Sequence, residues 1–81
     1  MLPDKYTKTY EFIQQLEKIL PYDQLILEYR FPESCWIHVS FKSKGARKQA
    51  FTMVNDKVYK RDSKGIPSGF VLLETIPPKA A

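Results

Sequence analysis

At 81 residues and a net charge of +4, the chain is bounded to one small domain with a thin core. Its single cysteine excludes an internal disulfide scaffold, and no apolar run approaches the roughly 18 residues needed to cross a bilayer. Met1-Leu2-Pro3-Asp4-Lys5 lacks the basic start and apolar middle of a secretion signal, so a soluble product made without an amino-terminal signal peptide is expected.

The chain opens with Tyr6, Tyr10, Ile13, Leu16 and Leu20 at about helical spacing. Asp4 is placed to cap the first turn and Pro21 to end the segment, which predicts one amphipathic helix with Tyr6, Tyr10 and Phe12 in its packing stripe. Alternating apolar residues then predict strands over about 24–29 and 36–42, joined by a hairpin turn through Arg30 to Ser34. After a loop at Ser43-Lys44-Gly45 comes a third strand near 49–54, and Asn55-Asp56-Lys57 marks a tight turn into Val58-Tyr59-Lys60. A further turn at Gly65-Ile66-Pro67-Ser68-Gly69 leads to Phe70-Val71-Leu72-Leu73, read as a short strand covering a sheet edge. The expectation is a single α+β domain over residues 1–76, one N-terminal helix on a small antiparallel sheet of four to five strands, with 77–81 as a frayed tail.

Eight cations, Lys42, Lys44, Arg47, Lys48, Lys57, Lys60, Arg61 and Lys64, crowd the second half against Asp56 and Asp62. Lysines on exposed strands commonly guard against edge pairing, and that reading stands beside two functional ones. One is an anionic cell-wall polymer, with Arg47 clamping a peptide carboxylate through bidentate hydrogen bonds. The other is nucleic-acid phosphate, with Phe41, Phe51, Tyr59 and Phe70 as stacking platforms. No recognised nucleic-acid motif accompanies these aromatics, and their alternation with polar neighbours points to core.

The only histidine, His38, lies mid-strand in Cys35-Trp36-Ile37-His38-Val39-Ser40-Phe41, ten residues after Glu28, which closes Tyr22-Asp23-Gln24-Leu25-Ile26-Leu27-Glu28. In a hairpin centred near Glu33 the two are equally far from the turn, and their matched parity places both on one face of the sheet. An imidazole beside a carboxylate suits a zinc hydrolase, where neutral imidazole binds the metal and a non-ligating carboxylate takes a proton from metal-bound water. The competing reading is a buried histidine beside an unrelated surface acid. Cys35 points with Ile37, away from the face of His38, and Asp23 reads as a structural or orienting residue.

The stretch Tyr22 to Lys42, followed by Ala46-Arg47-Lys48-Gln49, resembles the C-terminal half of the zinc D-alanyl-D-alanine carboxypeptidase-like family, particularly short phage and bacterial cell-wall peptidases. Their pattern runs aromatic-Asp-Gln-Leu-Ile-x-Glu, a turn, Trp-Ile/Val-His-Val-Ser and an Asn-Arg element, for which Ala46-Arg47 stands here. The Hedgehog signalling domain looks similar across the same hairpin. The resemblance implies His38 as the last zinc ligand, Glu28 as general base, and Trp36 as a wall of the cleft for a peptidoglycan peptide. It also implies half of a Hedgehog/peptidase-like fold. Active members carry an upstream His-x-x-Gly-x-Ala-x-Asp element that supplies two more zinc ligands, and residues 1–21 contain no histidine.

Three functions follow. The chain is half of a split zinc peptidase completed by another chain, or a non-catalytic remnant serving a phage tail or baseplate beside other virion proteins, or a small basic nucleic-acid-binding domain. The first two place it in a virion or in a phage host's cytoplasm.

Overall fold

The computed structural model describes residues 4–30 and 34–76. Helix α1 spans Asp4–Ile19, with Asp4 in its first turn and Lys18 in its last, where each charge complements the helix dipole. A Leu20 N–H to Leu16 C=O bond of 3.0 Å prolongs the last turn before Pro21. Tyr6 and Ile13 are buried, and Tyr10, Leu16 and Leu20 pack partly against the same cluster. Phe12 lies outside the expected stripe. One residue before Ile13, it is about 100° away around the helix and 54% exposed.

Four strands follow: β1 Gln24–Arg30, β2 Ser34–Ser40, β3 Gln49–Val54 and β4 Lys57–Val58. They form one sheet in the order β2-β1-β3-β4. The α+β class is as expected, but the sheet is mixed: β1 is antiparallel to β2 and parallel to β3. Alternation of apolar side chains is the same in both pairings, so the sequence pattern does not distinguish them. The parallel pair arises because residues 41–48 cross over the end of β1 and enter β3 alongside it. Lys48 makes that entry with a positive φ of 56°.

Leu25, Leu27 and Tyr29 point to the helix side and form the core with Tyr6, Ile13, Tyr22 and Leu73. Cys35 and Ile37 of β2 and Ala50 and Val54 of β3 pack against them. Val39, on the same face as Cys35 and Ile37 by alternation, is 38% exposed at the edge of the sheet. Asn55 and Asp56 both take positive φ, 49° and 72°, as a tight hairpin turn with the native strand twist requires. The strand after this turn is Lys57–Val58, shorter than and preceding the expected one.

Residues 70–73 do not form a strand among the described residues; Leu73–Thr75 is a short 3₁₀ turn instead. The segment crosses the helix side of the sheet and is tied down by side chains. The Tyr29 hydroxyl donates to the Val71 carbonyl and accepts from the Leu73 N–H, both at 3.0 Å. Thr52 Oγ1 accepts from the Val71 N–H at 2.8 Å and donates to the Gly69 carbonyl at 3.2 Å. Burial raises the Tyr29 phenol well above its ordinary value, because a phenolate there would lose its water. The expected tail, 77–81, and most of the hairpin turn, 31–33, lie outside the described residues.

Candidate functional site

The hairpin pairs Glu28 with Trp36 and Ile26 with His38. The expected register, centred near Glu33 with Glu28 opposite His38, is therefore corrected by two positions. A two-residue displacement preserves the face of every side chain. Glu28, Trp36 and His38 accordingly share the face turned away from α1, Glu28 and His38 as diagonal neighbours about 7–8 Å apart at that offset. His38 and Trp36 are exposed, whereas the Glu28 side chain is only 13% exposed. Ile26 and Phe51, paired across β1 and β3, form the buried floor on this side.

Arg30 organises the face. Its Nε lies 3.5 Å from Glu28 Oε1, its Nη1 donates to Asp56 Oδ2 at 2.7 Å, and Nη2 bonds Asp56 Oδ1. Its guanidinium also sits 6.0 Å from the centre of the Trp36 ring, within cation–π range. One cation thus restrains both the carboxylate and the indole. The sequence signal was available, since a residue two after Glu28 in a strand must share its face. Asp56, arriving from the β3–β4 turn, carried no such signal.

Asp23 and Arg47 come together elsewhere, at the end of the sheet where the crossing loop passes β1. The buried Asp23 carboxylate accepts the Arg47 backbone N–H at 2.9 Å, its Nε at 3.0 Å and its Nη2 at 2.6 Å. The Asp23 backbone bonds Ser40 on one side and Gln49 on the other, at 2.7 and 2.9 Å. Hydrogen bonds from Arg47 hold the Asp23 carboxyl far below the ordinary carboxylate value, and Asp23 raises Arg47 in return. The guanidinium expected to clamp a peptide carboxylate has an intrachain carboxylate in its fork. Asp23 pins the loop to the strands it joins.

Other cations of the basic stretch are likewise engaged within the chain. Lys48 reaches the Leu20 carbonyl at 3.4 Å and lies 5.0 Å from the Tyr22 ring centre, and Arg61 donates to the Gly65 carbonyl at 2.7 Å. Of the four aromatics read as stacking platforms, Phe51 is buried and Phe70 packs against the core, leaving Phe41 and Tyr59 exposed.

Comparison of the chain with protein-family models, curated proteins and solved structures returned no match. Among the described residues, no three His, Cys, Asp or Glu side chains are gathered where they could hold a metal ion. A catalytic zinc takes about three protein ligands and a water. His38 and Glu28 fall short of that set, so the described residues do not by themselves fit zinc. Cys35 does not extend it, because its thiol lies on the opposite face, 3.6 Å from Thr9 Oγ1 of the helix.

Proposed function

We propose that this chain is a half-domain of the peptidoglycan-peptidase type, which presents a cell-wall peptide-binding face and leaves the remaining zinc ligands to another chain. The observation that carries the proposal is the placement of an exposed imidazole, His38, and a nearly covered carboxylate, Glu28, on one face beside the exposed indole of Trp36. An aromatic wall with a few fixed polar groups is what an extended peptide needs for orientation. Arg30 supplies the fixing, since it engages both Glu28 and Trp36 and is itself tethered to Asp56. The residues quoted from Tyr22 to Lys42 support the peptidase type by resemblance. A phage or bacterial setting is what that resemblance implies. No hydrolytic step is assigned to this chain alone, because its described residues hold too few metal ligands.

The test is a nuclear magnetic resonance titration of the isotopically labelled chain with a soluble muramyl pentapeptide. The Trp36 indole and the His38 and Glu28 amides are expected to shift together, and Trp36→Ala is expected to weaken the interaction by at least about tenfold, as loss of an aromatic anchor does. Shifts confined to other surfaces, or none, would overturn the proposal.

A further inference from the structure

We propose that this chain associates with a second copy of itself through the outer edge of β2. This strand ends the sheet, with β1 on its inner side and no strand on its outer side among the described residues. An edge strand presents unpaired N–H and C=O groups to any second strand, and natural edges are usually blunted by charge, proline or shortness. Strand β2 has none of these. It runs Ser34-Cys35-Trp36-Ile37-His38-Val39-Ser40 without a lysine, arginine, aspartate, glutamate or proline. The far end of the sheet is guarded by shortness and charge within the strand: β4 has two residues, one of them Lys57.

The order of residues in β2 selects a second copy as occupant. Two identical strands related by a two-fold axis pair antiparallel, and full overlap of β2 centres the axis on Ile37. Ser34 then meets Ser40 of the second copy, Cys35 meets its Val39, Trp36 meets its His38, and Ile37 meets its Ile37. Every pair matches in chemical type: hydroxyl with hydroxyl, small apolar with small apolar, aromatic with aromatic. No pair sets a formal charge against an apolar side chain. Cross-strand pairs of these kinds are the stabilising unit of an antiparallel sheet. The axis stands perpendicular to the sheet, so both helices lie on one side and both His38-bearing faces on the other.

The helix extends the same apolar flank. The Cys35 thiol lies 3.8 Å from the Lys5 carbonyl and 3.6 Å from Thr9 Oγ1, so the α1 stripe through residues 5 and 9 runs beside β2. At spacings of three and four, that stripe continues through Phe12, Leu16 and Ile19. Phe12 is 54% and Ile19 72% exposed on this helix stripe and Val39 is 38% exposed on β2, apolar surface on the two elements that flank this edge. Pairing through β2 requires nothing of the zinc reading, and it sets Trp36 beside His38 of the second copy on the sheet face that bears the proposed muramyl-peptide site.

Sedimentation equilibrium of the whole chain, with circular dichroism as the folding control, tests the inference. The wild type is expected to be a dimer at tens of micromolar, and Val39→Lys to weaken association at least about tenfold with an unchanged spectrum, since a lysine guards an edge. A second variant covers the case in which that lysine disturbs folding. Val39→Cys is expected to form a covalent dimer through Cys35 of the other copy on mild oxidation, and Cys35→Ser in the same chain to abolish it. Within one strand the two thiols stand about 13 Å apart and cannot join. A monomer at all concentrations up to about 1 mM, a dimer that Val39→Lys leaves intact, or a dimer without the Cys35-dependent cross-link would overturn the proposal.

Discussion

Replacing Tyr29 with phenylalanine removes one oxygen and tests how the segment over the helix side is held. The hydroxyl bonds both the Val71 carbonyl and the Leu73 N–H at 3.0 Å, in a residue that is 1% exposed. The ring remains, including its edge-on contact with Tyr6 at 5.8 Å, so the core is not emptied. The cost is therefore that of leaving buried backbone groups unpaired, about 1–3 kcal/mol. A domain of this size loses roughly 4–8 °C of melting temperature per kcal/mol, so a fall of about 4–24 °C is expected in thermal melts. Hydrogen exchange should quicken at the Leu73 amide more than in β1. Alkali provides a second arm. The folded phenol titrates above its unfolded value near 10, so its stabilisation is complete below that pH and is lost as the pH rises further. The phenylalanine variant should lack that part of the alkaline decline. A variant melting within about 1 °C of the wild type, with Leu73 protection unchanged, would refute the latch; so small a shift lies below the expected hydrogen-bond cost.

Acid should act through the Asp23 clamp. Its folded carboxyl titrates below the ordinary value of 3.8, so its stabilisation is present above that pH and is lost as the pH falls through and below it; Asp23→Asn should flatten the acid limb of the melting curve. Ile37→Asp should destabilise the domain by roughly a few kcal/mol in thermal melts, since it sets a carboxylate at a partly buried position against the core, whereas His38→Ala at its exposed position should change stability by less than about 0.5 kcal/mol. Calorimetric titration with zinc should detect only weak binding by the chain alone, and tight one-to-one binding abolished by His38→Ala would show that further ligands had been gathered.

Much of this arrangement was legible because strand patterning has a period of two. Parity alone put Glu28, Trp36 and His38 on one face and Cys35 and Ile37 on the other, and an error of two in the register left that assignment standing. The register itself depends on the turn, whose length the pattern leaves loose. Phe12 misled because it adjoins a true core position, and a helix face is decided by single-residue rotation. The run Phe70-Val71-Leu72-Leu73 has the composition of a strand, but Tyr29 and Thr52 satisfy its backbone through their hydroxyls, a device without a local signature. Asp23 and Arg47 were each singled out; their meeting depends on a crossing that brings together residues 24 positions apart.

That crossing has a consequence for the order in which the chain assembles. The β1–β2 hairpin closes over a few residues, while the β1–β3 pair joins Gln24 to Gln49 and must wait for the intervening segment to settle over the end of β1. Loop entropy is lost before the parallel ladder returns anything, so the hairpin is expected in the folding nucleus and β3 is expected to dock late, with φ-values near zero for substitutions in β3. Contacts made after the transition state govern the rate of escape from the native basin rather than the rate of entry. The clamp between Asp23 and Arg47 is expected to close with that late step, so Asp23→Asn should speed unfolding more than it slows folding.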